Sequence, residues 1–194
     1  MAKKDRSAID ACGAALAVVN DRFLVDLRAA AGDPALIARA QRRHDLAALV
    51  ALLRYPYGHE ESDRCEDALL DRILGIVRPA AEAPRYTRDL TTARTFVAAA
   101  LPGFWVSSGL CDLTGHASLG PDYNGARGER LHREWPLDVE GFVGTWDEDL
   151  APGDGVHREC RAILTCACRA LAYQHERPPR ARAADLPAVV SPCA

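Results

Sequence analysis

Histidine and cysteine side chains in the second half of the chain form the pattern closest to a metal site. His157 and Cys160 are three residues apart in a segment of helical periodicity, which places them on adjacent turns. Cys111 and His116 precede them in a segment with strand character. Their types suit zinc, but a structural zinc site carries paired short spacings, and here there is one H-x-x-C and one C-x4-H. A small metal-binding protein or enzyme that uses these four residues is an alternative hypothesis, and a capping histidine with a core thiol is the simpler interpretation.

No other group of side chains has the spacing of a catalytic motif. Ser107, Ser108 and Ser118 lie near His116 in the sequence, but no G-x-S-x-G turn surrounds a serine. The glycines between residues 120 and 128 lack the G-K-[ST] ending of a phosphate loop. We therefore predict no catalytic residue and no cofactor.

Positive charge is concentrated at Arg39, Arg42 and Arg43. Guanidinium groups bind nucleic-acid phosphates, so these arginines are candidates for a nucleic-acid surface. The chain as a whole has 24 Lys and Arg against 27 Asp and Glu, a net charge of −3, which argues against a broad basic surface. Nucleic-acid binding is therefore a second alternative, and a hydrated helix face is the simpler interpretation.

A turn-rich insertion between residues 120 and 141 carries the candidate partner-binding residues Tyr123, Arg127 and Trp135. We expect the two tryptophans of the predicted strands, Trp105 and Trp146, to anchor the core. Trp135 stands beside a proline in the insertion, where we expect it to be exposed. An exposed tryptophan beside a tyrosine is typical of a surface that binds another protein.

Helices are predicted from apolar residues that recur at steps of three and four. Residues 7–31 and 34–54 are expected to form an antiparallel helical hairpin, with Asp33 as the cap of the second helix and Pro34 at its first position. Further helices are predicted over 62–77, 89–101 and 156–173, with Asp89 capping the middle one. Residues Cys65, Leu69, Ile73 and Ile76 are expected to form the inner face of the helix over 62–77.

Three short strands are predicted over residues 104–108, 116–119 and 142–146. The helical periodicity of the apolar residues stops there, and short segments typical of extended strands follow. The acidic residues 147–149 are expected in a solvated loop after the last strand. One helical turn is expected within 129–136.

Seven cysteines are an odd number without a regular framework, which favours reduced thiols buried as small apolar side chains. Cys166 and Cys168 are two apart on a helix, so we expect one in the core and one near the surface. No apolar run approaches the ~20 residues that cross a bilayer, and no secretory segment is recognisable. We expect a cytoplasmic protein without a membrane partner.

Four short segments resemble a group of small phage and prophage proteins with an ABA-sandwich domain, in which a helix, an antiparallel sheet and a second helix follow one another. They are EDALLDRI at 66–73, YTRDLTTA at 86–93, GFW at 103–105 and CRAILTCACRAL at 160–171. The resemblance spans a little over half of the chain. It implies a phage or prophage origin and identifies no catalytic residue in this chain. The N-terminal helices and the insertion depart from the family pattern.

The sequence as a whole predicts an α+β protein. The 194-residue chain is 48% hydrophobic, 26% charged and 6% aromatic, a composition that favours closely packed helices. We expect a helical hairpin over 1–58 packed beside a helix-sheet-helix domain over 59–175, whose three-stranded antiparallel sheet is covered by helices. A flexible tail is expected over 176–194.

The favoured function is a non-enzymatic accessory protein, of phage or prophage origin, that binds a host or phage protein. A homo-oligomer paired through the apolar stripe of residues 9–23 is a further alternative.

Overall fold

The computed structural model describes residues 3–54, 60–135, 144–150 and 155–176. These residues form six α-helices and one three-stranded antiparallel sheet, which confirms the predicted α+β class. The helices are α1 Lys3–Ala29, α2 Pro34–Arg54, α3 Glu60–Ile73, α4 Leu90–Ala100, α5 Gly128–Glu134 and α6 Gly155–Glu176; the strands are β1 Phe104–Leu110, β2 Gly115–Pro121 and β3 Trp146–Leu150. The boundary expected near residue 58 and the tail from residue 177 lie outside the described residues. None of the described helices combines the length and the apolarity needed to cross a bilayer.

The predicted N-terminal hairpin is confirmed, with α1 packed against α2. Its turn depends on Gly32, whose positive φ of 85° suits a residue without a side chain. Asp33 then caps α2, because its Oδ1 accepts a hydrogen bond from the amide of Ala35 at 2.8 Å. Cys12 is fully buried, and Phe23 lies against His44 of α2 with 4.5 Å between ring centroids. The apolar stripe considered for pairing between chains is therefore occupied within the chain.

The C-terminus of α3 and the N-terminus of α4, on either side of the connection between them, are both capped. Helix α3 ends earlier than predicted, because Gly75 adopts a φ of 79° and the amide of Ile76 donates to the carbonyl of Asp71 at 2.9 Å. The predicted cap of α4 is confirmed, since Asp89 Oδ1 accepts from the amide of Thr92 at 2.6 Å. These two caps set the length of the connection and bring α3 alongside the residues that precede α4.

The sheet has the order β1-β2-β3, and its third strand starts later than predicted. Trp146 pairs with Leu119 and Leu150 pairs with Gly115, so the acidic residues 147–149 lie inside β3 and not in a loop. The strand tolerates this run because its side chains alternate between the two faces, and because Glu148 on the inner face accepts hydrogen bonds from Arg54 and Arg169. Trp146 and Leu150 are buried, while Asp147 and Asp149 point to solvent. Residues 142 and 143 of the predicted strand lie outside the described residues.

Helix α6 is the central element of the core. It packs against all three strands and against α2 and α4. Its approach to the sheet is close at Gly115, where a side-chain Cβ would stand 2.6 Å from the backbone of Arg158. Because α6 has neighbours on several sides, Cys166 and Cys168 are both fully buried, and the expectation that one lies near the surface is wrong. Burial raises the pKa of each thiol to about 12.

Candidate functional site

The structure does not bring the four candidate metal ligands together. His116 lies on the outer face of β2 and is exposed, whereas Cys160 is fully buried in α6 against the inner face of the sheet. Cys111 is exposed at the turn after β1, and the hydroxyl and amide of Thr114 beside its sulfur lower the pKa of this thiol. Within the described part of the chain, no group of three or more His, Cys, Asp or Glu side chains has the arrangement of a metal site.

The three candidate nucleic-acid arginines connect helices. Arg39 Nη2 donates to the carbonyl of His175 at 2.8 Å, and Arg42 Nε donates to the ring of the same histidine at 2.7 Å. Arg43 forms an ion pair with Asp26 of α1. Burial and the charges of Arg42 and Arg39 lower the pKa of His175. These contacts join α2 to α6 and to α1.

The insertion places Trp135 in the core, so the expectation that this tryptophan is exposed is wrong. Trp135 is 2% exposed and packs edge-on against Phe104 at 5.0 Å and Trp146 at 5.6 Å between ring centroids. Tyr123 is partly buried, and its hydroxyl donates to the carbonyl of Trp135 at 2.5 Å. Arg127 is exposed before the first residue of α5. Helix α5 folds the described part of the insertion back onto the sheet, which removes the tryptophan from the surface.

Chemistry-bearing side chains do converge elsewhere, around Arg161 of α6. This arginine is fully buried, and its Nη2 lies 2.6 Å from Asp63 Oδ1 and 2.7 Å from Glu66 Oε2, both on α3. Its Nη1 donates to the carbonyls of Leu52 and Leu53 at 3.2 and 3.4 Å, near the end of α2. One guanidinium therefore joins three helices.

Neighbouring groups complete this buried ion network. Arg161 Nε donates to His157 Nε2 at 2.7 Å, and Arg88 Nε donates to Asp63 Oδ2 at 2.5 Å. Two further carboxylates of α3 bind the connection before α4: Asp67 accepts from the amide of Thr87 at 2.9 Å, and Asp71 accepts from the hydroxyl of Tyr86 at 2.8 Å.

The carboxylates of this network differ in protonation. Burial acts to raise the pKa of Asp63, but its contacts with His157 and Arg88 and the charge of Arg161 outweigh burial and hold the pKa well below its usual range. Burial raises the pKa of Glu66 to about 7, against the attraction of Arg161. Burial likewise raises the pKa of Asp67 to about 6, against the hydrogen bonds from Thr87. Asp63 is thus the ionised partner of Arg161, and Glu66 exchanges its proton near neutral pH.

Sequence reasoning missed this network because it expected only apolar side chains on the inner face of α3; Leu69 and Ile73 do lie against the core, as predicted. Cys65, expected inside, is exposed, while Asp63, Glu66 and Asp67 are each 1% exposed. The available signal was the helical spacing of the acidic residues 63, 66, 67 and 71, which share one side of α3. These side chains are enclosed between α3, α6 and the connection before α4.

The accessible chemistry lies on the outer face of the sheet, which we call the open face. Phe104 and Val106 of β1 pack on the core, so the alternate residues Trp105, Ser107 and Gly109 point the other way. Across β2 they pair with Gly120, Ser118 and His116, and β3 adds Asp147 and Asp149. The described helices that pack on the sheet pack on its inner residues, and the open face carries none of them.

Two rings on the open face each lie close to a glycine of the paired strand. A Cβ at Gly120 would stand 3.1 Å from Trp105 Cζ2, and a Cβ at Gly109 would stand 2.6 Å from His116 Cε1. The rings therefore occupy the space where the paired residue has no side chain. Trp105, expected in the core, is 38% exposed. Ser118 donates to Asp147 Oδ1 at 2.5 Å, which fixes a carboxylate between the two rings.

Comparison with protein-family models, with curated proteins and with solved structures finds no match to this chain.

Replacing Arg161 by Met should lower the free energy of unfolding by about 3–5 kcal/mol, because Asp63 and Glu66 would lose their buried counter-charge. Urea denaturation measures the loss. The matched control is Arg130→Met, which removes an exposed ion pair with Glu134 within α5 and should cost under ~0.5 kcal/mol. Equal losses for the two variants would contradict a stabilising role of the buried network.

Replacing Glu66 by Gln should weaken the pH dependence of stability between pH 5 and pH 8. The pKa of Glu66 is raised from 4.5 to about 7 on folding, so its contribution is full below pH 4.5 and is lost as the pH rises through 7. We expect wild-type stability to fall across this range, with about 1–3 kcal/mol of the fall due to Glu66 and a further part due to Asp67. Denaturation at several pH values checks this. The exposed control Glu129→Gln should follow the wild type, and a fall of unchanged size in Glu66→Gln would refute the assignment.

Proposed function

We propose that the protein is a non-enzymatic accessory protein, of phage or prophage origin, that binds another protein through the open face of its sheet. The observation that carries this proposal is Trp105, which is 38% exposed and lies close to Gly120 of the paired strand, on a sheet face without a described covering helix. Tryptophan is enriched among the residues that dominate protein interfaces. A ring already held against the neighbouring strand loses little conformational freedom on binding, which favours its use as a contact.

The charges of the open face indicate the chemistry of the partner. Asp147 and Asp149 project from β3 on the same side as Trp105. A lysine or arginine of the partner would find an aromatic ring face and a carboxylate within the same surface, an arrangement that attracts cations. The same carboxylates repel phosphates, so this face favours a protein with a basic segment over a nucleic acid.

The distribution of titratable groups supports a binding role over catalysis. The titratable groups with the strongest mutual interactions are enclosed between α3 and α6. They are Asp63, Glu66, Asp67 and Arg161. Their pKa values follow from burial and pairing inside the fold. The open face, by contrast, presents exposed titratable groups beside an exposed ring, that of Trp105.

The variants Trp105→Ala and Asp149→Lys should each weaken partner binding at least tenfold, by removing the aromatic contact or reversing a charge. The measurement is affinity capture from nuclease-treated lysate of the source cells, with quantitative mass spectrometry and titration of the recovered protein.

Two exposed positions away from the open face serve as controls: Val77→Ala, a loss of apolar surface, and Glu129→Lys, a charge reversal on α5. Both should bind as the wild type does, and circular dichroism should give one fold for all variants. If the open-face variants and the controls recover the same proteins in equal amounts, the open face is not the binding surface. Loss of all binding on nuclease treatment would point to the nucleic-acid alternative.

The phage or prophage origin is tested independently by the genes that flank the coding sequence. We expect phage replication or lysogeny genes beside it, because the four matched segments resemble phage ABA-sandwich proteins. Sequencing of the flanking region checks this. A gene embedded among metabolic operons would contradict the origin and leave the binding proposal unaffected.

A further inference from the structure

Helix α6 contains two buried arginines, and the described residues supply bonding partners to only one of them. Arg161 bonds Asp63 and Glu66. Arg158, three residues earlier, is 9% exposed, and its Nε and Nη1 atoms are buried without a hydrogen-bond partner among the described residues. A buried donor without an acceptor costs free energy, and a buried charge without a counter-charge costs more. The guanidinium of Arg158 is therefore a candidate to bind an anion.

The packing of α6 on the sheet holds Arg158 in place. Gly115 of β2 lies so close that a Cβ there would stand 2.6 Å from Arg158 Cβ and 2.7 Å from the amide nitrogen of Glu159. Glu159 is the carboxylate nearest to Arg158 in the sequence, and its Oε1 accepts a hydrogen bond from the hydroxyl of Ser108 on β1 at 2.6 Å. Because Glu159 is bonded to β1, it does not serve as the counter-charge of Arg158.

The position of Arg158 in α6 adds a second source of positive potential. The helix begins at Gly155, so Arg158 lies in its first turn. The Cα–Cβ bonds of a helix tilt toward its N-terminus, which directs the side chain of Arg158 toward the start of α6. The first amides of a helix have no acceptor within it, and the dipole of this 22-residue helix adds partial positive charge at the same end. The guanidinium and the helix end thus both favour negative charge at one place.

We propose that Arg158 and the N-terminus of α6 bind a phosphate group. Guanidinium groups and the backbone amides of helix N-termini are two kinds of donor that hold phosphate in proteins. The oxygens of phosphate point to the corners of a tetrahedron, so one phosphate accepts from the guanidinium and from backbone amides together, whereas the two oxygens of a carboxylate lie in one plane. Gly115 faces α6 on the inner side of the sheet, so this site is separate from the open face. Phosphate binding here does not depend on partner binding at the open face.

The test is isothermal titration of the whole chain with inorganic phosphate, in chloride buffer of constant ionic strength. The wild type should bind one phosphate per chain, and Arg158→Met should raise the dissociation constant at least tenfold. The matched control is Arg130→Met, which removes the same charge from the exposed surface of α5 and should bind as the wild type does. A second titration with O-phosphoserine separates two sources of the group. Equal binding assigns the phosphate of a larger molecule, and binding of inorganic phosphate alone assigns the free ion.

Urea denaturation gives a second readout, which a structural role of Arg158 would not produce. Phosphate should raise the denaturation midpoint of the wild type and of Trp105→Ala, but not that of Arg158→Met, because only a folded site binds the ion. Without phosphate, Arg158→Met should be at least as stable as the wild type, because it removes a buried charge that lacks a partner. A less stable variant would show that Arg158 is paired within the chain and would overturn the proposal. The same holds for a wild type that binds no phosphate or binds acetate more tightly, and for an Arg158→Met variant that binds phosphate as the wild type does.

Discussion

The arrangement of the helices depends on one fully buried guanidinium, that of Arg161. A charge in a protein interior is stable only where counter-charges and hydrogen-bond acceptors surround it, because the interior solvates it poorly. Arg161 finds these on two other helices: Asp63 and Glu66 on α3, and the carbonyls at the end of α2. Those carbonyls belong to the last turn of α2, where the backbone lacks helical donors. The charge therefore determines both the position of α3 and the way α2 ends.

The same constraint explains why α3 has a polar interior face. Its carboxylates need partners, and the partners come from α6 and from the connection before α4, where Tyr86 and Arg88 reach Asp71 and Asp63. Leu70 and Ile73 complete the face with apolar contacts to the main core. The result is a helix whose apolar residues and these acidic residues are both enclosed. Its orientation is specific because Asp63 and Glu66 meet Arg161 of α6, while Asp67 and Asp71 meet the connection before α4.

The two faces of the sheet differ, and glycines account for part of the difference. Its inner face is filled by α6, which comes close because Gly115 has no side chain, and by the aromatic group of Phe104, Trp135 and Trp146. On its open face, Trp105 and His116 each lie close to a glycine of the paired strand. Glycines on the two faces thus have different effects: they allow close helix packing on one face and make room for an exposed ring on the other.

The sequence alone determined the elements whose signals are local. Asp33 and Asp89 mark helix starts because a capping side chain bonds an amide only two or three residues away, and periodic apolar residues indicate helices by the same short-range geometry. The α+β class followed from these signals. Only the tertiary structure decided which sides of the elements are buried. Asp63 is enclosed because of Arg161, 98 residues further along the chain, and Trp135 is buried because α5 returns to the sheet. Burial of a charge or a ring depends on partners distant in sequence, and the periodicity of the local sequence does not predict those contacts.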